Sequence, residues 1–181
     1  ILAHLFSYGG YPVFFPDLGR SLGRDRALRP GTLSTVRLAF GIANCAGTFP
    51  AGAILGKLFR PTLLGVHLAL AAIAAALFAG NGMISLNVAL AVAWGFVFGF
   101  IPVSWSTWIT RTLADQAELA GGLSVAAVQF SIGLAAAVGG LTFDKLGIGG
   151  IFVTAALFQL LAAGLVKASL SGFSKEKGRP A

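Results

Sequence analysis

The chain has 181 residues, of which 56% are hydrophobic and 10% are charged. Soluble domains average about 45–50% apolar and about 25% charged residues, so this composition excludes an ordinary water-soluble domain. The net charge of +7 does not indicate a nucleic-acid partner, because the cations lie at the edges of apolar blocks and do not line one face of a fold.

Uncharged stretches separated by charged clusters occupy most of the chain. A bilayer core about 30 Å thick is crossed by a helix of about 20 apolar residues, and backbone polar groups in lipid must bond within the protein. The stretches lack the alternating polarity of barrel strands and the polar stripe of soluble helices. We therefore predict an all-α membrane protein with six helices in the lipid bilayer. The predicted helices cover residues 1–16, 32–55, 61–79, 83–110, 120–143 and 147–166.

The predicted first helix is short and opens directly on Ile1, so we expect the chain to begin partway through a helix. Of the connections, residues 17–31 are predicted to form an Arg-rich loop, 81–82 a tight turn and 111–119 a polar loop. A cytoplasmic carboxyl terminus would place seven Lys and Arg residues inside and six outside. The positive-inside rule therefore hardly discriminates between the two orientations.

An internal repeat with an offset of 88 residues relates the two halves of the chain. Gly52 recurs as Gly140 and Lys57 recurs as Lys145, each near the end of the middle helix of three. Many transporters are built from such three-helix repeats, so we predict two groups in series and a disordered basic tail. The predicted groups and tail are residues 1–79, 80–170 and 171–181.

Two sequence motifs carry a resemblance to a known family. The first is Gly-x-x-x-Asp-Lys-x-Gly at residues 140–147, and the second is the run Pro-Val-Ser-Trp-Ser-Thr-Trp-Ile-Thr-Arg at 102–111, followed by a Gly- and Ala-rich stretch at 121–129. The chain resembles the second half of transporters in the drug:proton antiporter branch of the major facilitator superfamily. The similarity is greatest to purine ribonucleoside and sugar efflux members. It implies two inverted three-helix repeats and a missing amino-terminal six-helix half.

The resemblance also implies a function, which is secondary active, proton-coupled efflux of a small solute such as a purine nucleoside. It places the protein in the inner (plasma) membrane with the carboxyl terminus in the cytoplasm, and it places the essential carboxylate in the absent half. The alternative hypothesis is a non-transporting membrane subunit or a truncated remnant of a sugar or drug efflux transporter.

Polar and aromatic side chains inside the apolar helices are the candidates for solute contact, because polar groups in hydrocarbon are costly. Asn44 is compatible equally with a bond to a neighbouring helix and with a cavity-facing position. Gln129 lies near the centre of the fifth helix, where we favour a cavity-facing position. Asn87 and Trp94 are seven residues apart and share a face. The predicted solute-binding residues are Tyr8, Tyr11, Asn44, Asn87, Trp94 and Gln129.

The remaining polar features are assigned to structure. We interpret Trp105 and Trp108 as an interfacial aromatic belt, and His4 and His67 as packing residues. No metal-ligand cluster, activated nucleophile or phosphate-binding loop is present in the sequence, so we predict no metal, no cofactor and no enzyme activity. The residues predicted to have a structural or gating role are Gly52, Gly56, Lys57, Gly140, Asp144 and Gly147.

Overall fold

The computed structural model describes residues 2–14, 30–80 and 83–176, with side chains for 2–10, 33–80 and 83–170. The described chain is almost entirely helical. Much of the predicted Arg-rich loop and the 81–82 turn lie outside the described residues. The helices are α1 (Leu2–Phe14), α2 (Pro30–Ala79), α3 (Ile84–Phe98), α4 (Phe100–Thr112) and α5 (Ala117–Glu176), and a short 3-10 turn, Ala114–Gln116, precedes α5.

Helix α5 is too long for one crossing and reverses direction at Gly147. This residue has φ 64° and ψ −158°, a conformation that is essentially restricted to glycine. The Thr154 hydroxyl donates to the Thr142 hydroxyl over 3.3 Å, although residues 12 apart in a straight helix are separated by about 18 Å. The two parts of α5 therefore lie side by side.

Helix α2 reverses in the same way at Leu58, which has non-helical angles of φ −125° and ψ 49°. Asn44, before the break, bonds to the carbonyl of Gly95, and Val66, after the break, lines a surface cavity with Phe96. Residues 44 and 66 of a straight helix are about 33 Å apart. Only a reversal brings both to neighbouring residues of α3.

The reversals and the near-continuous pair α3 and α4 give six helical segments, which we call spans 1 to 6. Gly99 separates α3 from α4. The break occurs here because the ring of Pro102 clashes with the helical position of the carbonyl group three to four residues before it. Among the described residues, three helical stretches are long and apolar enough to cross a membrane, Leu33–Ala79, Ile84–Thr112 and Ala114–Leu170. Spans 1 to 6 are residues 2–14, 30–57, 59–79, 84–112, 117–146 and 148–176.

These segments match the six predicted helices in order and position, so the prediction of an all-α membrane protein is confirmed. Their shared core contains large side chains that are fully buried, among them Leu55, Leu63, Leu70, Leu77, Trp94, Ile101 and Ile151. Helix α5 continues to Glu176, within the predicted basic tail of residues 171–181, whose disorder stays a prediction. Residues 177–181 lie outside the described chain.

The first helix of each predicted three-helix group packs mainly on the other group: α1 on α5, and α3 on α2. The Ser131 hydroxyl donates to the carbonyl of Leu5, and the Asn44 amide donates to the carbonyl of Gly95 over 3.3 Å. Both bonds run from the middle helix of one group to the first helix of the other. We call this packing of each first helix on the other group the exchange of first helices. It supports the division into two groups, which stays a prediction.

Glycine permits the close approach of spans 2 and 4. A Cβ atom added at Gly95 would stand 2.6 Å from the carbonyl oxygen of Phe40, and one at Gly47 would overlap the carbonyl of Phe96. By contrast, a Cβ atom at Gly52 or Gly140 would meet no atom within 4 Å. The close helix contacts in the described chain therefore use other glycines than those in the repeated motif.

The reversal at Gly147 gives a first testable prediction. We expect Gly147→Ala to lower the free energy of unfolding by about 1–3 kcal/mol, because a Cβ atom is strained at this φ and ψ. Thermal unfolding in detergent micelles measures the loss. Gly140→Ala is the matched control, since it lies in span 5 with open space around its Cβ position and should leave the melting temperature unchanged or higher. Equal melting temperatures for the two variants would refute a glycine-dependent reversal.

Candidate functional site

An open groove lies between α1, α4 and the beginning of span 5. One part has a volume of about 250 Å³ and includes Tyr8, Trp105, Ser106 and Ser124 in its wall. The adjoining part has a volume of about 180 Å³ and includes His4. Trp105 and Ser124 border both parts, so we treat them as one feature, the α1–α4 groove.

The groove is built from helical spacing on each element. His4 and Tyr8 are four residues apart and therefore lie on one side of α1. Trp105 and Ile109 have the same spacing on α4, which places both in the wall. Small residues of span 5, Gly121 among them, leave the space between these helices open.

One side chain in the groove, His4, lies close to three others. The imidazole of His4 lies 4.7 Å from the Trp105 ring and 5.1 Å from the Tyr8 ring, measured between centroids. The His4 Nε2 atom is 3.1 Å from the Ser124 hydroxyl. Trp105 is 7% exposed, and its Nε1–H group has no hydrogen-bond partner among the described residues. The groove thus combines aromatic rings with hydroxyl groups, which suits a flat solute carrying polar edges.

Of the predicted solute-binding residues, the structure places Tyr8 in this groove. Tyr11 belongs to α1, but its side chain lies outside the described residues. Asn44 bonds to Gly95, which is the interhelical alternative. Asn87 and Trp94 do share a buried face, with exposures of 2% and 0%, and lie in the bundle interior, away from the groove.

The predicted Gln129 has an exposed side chain on span 5 and does not line the groove. Three groove residues were missed by the sequence analysis: His4, Trp105 and Ser124. The interfacial-belt interpretation of Trp105 is wrong, because the side chain is buried against His4. The spacing of four between His4 and Tyr8 was the available sequence feature that pointed to a shared face.

The predicted structural and gating residues surround the two reversals. Lys57 and Asp144 are exposed, and Gly147 forms the second reversal. A cation missed by the sequence analysis, Arg111 at the end of α4, donates to the carbonyls of Leu55 over 3.3 Å and Gly56 over 3.1 Å. Arg111 therefore caps the carboxyl end of span 2, where helix carbonyls lack intrahelical partners.

The Arg111 guanidinium also lies 5.0 Å from the centroid of the Phe59 ring, beyond the reversal in α2. This cation–π contact joins the capping bonds in holding the end of span 4 to both sides of the reversal. Within the described chain, no three His, Cys, Asp or Glu residues are grouped in a way that could hold a metal ion.

Comparison with known proteins identifies relatives of this chain. No family model matches the sequence, and no solved structure matches it. The chain is 40% identical over 172 residues to the purine ribonucleoside efflux pump NepI of Escherichia coli O1:K1 and to that of strain O157:H7, and 39% identical to that of strain K12. Each match covers 94% of this chain and 43% of the relative.

This chain is a homologue of bacterial efflux pumps. The resemblance to the major facilitator superfamily is confirmed, and so is the predicted six-helix portion of such a transporter. The chain spans less than half the length of these pumps. As a homologue of efflux pumps with helices long and apolar enough to cross a membrane, it is a multi-pass membrane protein.

The capping of span 2 gives a second testable prediction. We expect Arg111→Gln to lower the free energy of unfolding by about 1–2 kcal/mol, because two carbonyls lose a charged donor and Phe59 loses a cation. Near-ultraviolet circular dichroism during thermal unfolding in micelles measures the change. Lys57→Gln removes an exposed cation near the same reversal and serves as the control. If both variants melt at the same temperature, the capping role is refuted.

Proposed function

We propose that this chain is part of a proton-coupled secondary transporter that exports small ring-containing solutes, with purine nucleosides as the favoured class. The observation that carries this proposal is the α1–α4 groove, in which the His4 ring lies against the rings of Tyr8 and Trp105 and the hydroxyl-bearing residues Tyr8 and Ser124 lie in the wall. The proposal agrees with the identity of the relatives, which are purine ribonucleoside efflux pumps.

The chemistry of a purine nucleoside fits the groove. A purine is flat and aromatic, and an offset or edge-to-face contact with one side-chain ring contributes about 0.5–1.5 kcal/mol beyond buried area. The ring of Trp105 borders the groove and is suited to such a contact, while its Nε1–H group is buried. The hydroxyls of Tyr8 and Ser124 suit the hydroxyl groups of ribose.

The groove supplies one wall of a solute site. Its larger part, about 250 Å³, is smaller than the roughly 300–1,000 Å³ typical of ligand pockets. We propose that an amino-terminal six-helix half supplies the opposite wall, as in transporters whose halves rock around a central site. The exposed amide of Gln129 and the open glycines Gly52, Gly56 and Gly140 are proposed to face that half.

The remaining proposals concern the setting of the transporter. We place it in the inner (plasma) membrane with its carboxyl terminus in the cytoplasm, in agreement with the superfamily resemblance. Solute contacts by Asn44, Asn87 and Trp94 require a conformation in which their helices separate, because Asn87 and Trp94 are buried here and Asn44 is bonded to Gly95. A solute contact by Tyr11 is likewise proposed.

A transport assay tests the proposed function. Full-length transporter containing this chain is reconstituted into proteoliposomes, and uptake of radiolabelled inosine is measured under an imposed pH gradient. We expect Trp105→Leu to raise KM about 2- to 12-fold, the equivalent of one lost aromatic contact. Phe78→Ala removes an aromatic ring that is 52% exposed in span 3 and should leave KM unchanged.

Uridine, glucose and a cationic drug are compared with inosine in the same assay. Transport of inosine in preference to the other three supports the purine assignment. No pH-driven inosine uptake by the unsubstituted transporter, or a KM that Trp105→Leu leaves unchanged, would contradict the proposal.

A further inference from the structure

A second polar cluster lies in the interior of the bundle, outside the α1–α4 groove. Leu63, Leu70 and Leu77 are seven residues apart and fully buried on one side of span 3. His67 lies on the same side, four residues after Leu63, and is 0% exposed. It meets Ser7 of span 1, which is also 0% exposed.

The hydrogen bonds of His67 fix the position of one ring proton. The Nδ1 atom lies 2.7 Å from the main-chain carbonyl of Leu63, and because a carbonyl can only accept, Nδ1 carries a hydrogen. The other ring nitrogen, Nε2, lies 2.7 Å from the Ser7 hydroxyl oxygen. Nε2 is therefore the atom at which a proton can be gained or lost.

The Ser7 hydroxyl has two acceptors within reach, His67 Nε2 at 2.7 Å and the carbonyl oxygen of Ala3 at 2.6 Å. With a neutral ring, the hydroxyl donates to Nε2. After Nε2 binds a proton from water, the new N–H donates to the Ser7 oxygen and the hydroxyl turns to the carbonyl of Ala3. Both protonation states keep every hydrogen bond of the ring, which a histidine used only for packing does not require.

No charged side chain of the described residues is buried near this pair, because all of them are exposed. Span 1 presents Ser7 to the imidazole, and span 6 presents the neutral amide of Gln159, which donates to the Ser7 main-chain carbonyl over 3.1 Å. Among the side chains that the structure describes, the other titratable groups of the spans without a formal charge at pH 7 are His4 and Tyr8 in the groove and the exposed Cys45. The charged residues with described side chains are Arg37, Lys57, Arg60, Arg111, Asp115, Glu118, Asp144, Lys145 and Lys167.

A buried imidazolium without a carboxylate partner is costly, so the closed arrangement favours the neutral ring. A movement of α1 away from span 3 exposes Nε2 to water and allows it to bind a proton. The same helix carries His4 and Tyr8, which border the groove. Solute contacts and proton binding therefore both depend on the position of the same helix, α1. A movement of this helix couples the two events.

We propose that His67 and Ser7 form a reversible proton-binding site that couples proton movement to solute export. The coupling part of this inference rests on the proposed function, whereas the proton-binding part does not.

Nitrogen-15 NMR of the full chain in lipid bilayers tests the proton-binding part. The His67 resonances are those that disappear in His67→Gln. We expect a ring with Nδ1–H and a bare Nε2 at pH 8, and a doubly protonated ring within the range from pH 8 to pH 5. In Ser7→Ala the second proton should not appear down to pH 5, because the new N–H has no acceptor. A His67 ring that keeps one protonation state throughout this range in the unsubstituted protein overturns the proposal.

Two transport measurements on the full-length protein in proteoliposomes test the coupling. In His67→Gln we expect at least a tenfold loss of inosine uptake driven by a pH gradient, while inosine counterflow without a gradient is retained. Lys167→Gln, which removes an exposed titratable group of span 6, serves as the comparison and should keep its response to the gradient. If His67→Gln responds to the gradient as the unsubstituted protein does, the coupling is refuted. If the unsubstituted protein moves no inosine, the proposed function fails, and the NMR titration still decides the proton site.

Discussion

The structure depends on polar side chains that bond to main-chain carbonyls across helices, in a setting where lipid offers no alternative partner. Three such bonds join the first helix of one group to a helix of the other group. They run from Ser131 to Leu5, from Asn44 to Gly95, and from Gln159 to Ser7. Apolar packing in lipid gives little preference for one neighbour over another, because lipid tails are as apolar as leucine. These bonds, together with the glycines that let the backbones approach, therefore determine which helices are neighbours.

Helix α1 is the element at which the features of the molecule meet. It contacts span 5 through Ser131, span 6 through Gln159 and span 3 through the buried imidazole of His67. The helix also supplies His4 and Tyr8 to the groove. A displacement of this one helix changes the shape of the groove and the exposure of the buried histidine together, which gives a physical basis for linking a solute to a proton.

The sequence allowed the helices to be predicted well because hydropathy and charge act along a single segment. The second reversal was also placed correctly, since Gly147 ends a recognisable motif and only glycine suits its backbone angles. The candidate groove could not be predicted from the sequence because it depends on contacts between segments. In the sequence, Trp105 near Arg111 has the pattern of an interfacial belt, but in the structure it is buried against His4. The partner of Asn44 is a carbonyl on another helix, which the sequence does not reveal. A single histidine such as His67 has no sequence pattern that reveals Ser7 opposite it.

The exchange of first helices is the central claim, and short-range thiol cross-linking measures it directly. Cys45 is the one cysteine of this chain, so the Cys45→Ser variant of the chain contains no thiol. His4→Cys is combined in turn with Ser124→Cys in span 5 and with Asn44→Cys in span 2, and the proteins are treated in membranes with a short bifunctional thiol reagent. The account predicts a cross-link for the first pair, whose native side chains are 3.1 Å apart, and none for the second. A cross-link between positions 4 and 44 in the absence of one between 4 and 124 would contradict it.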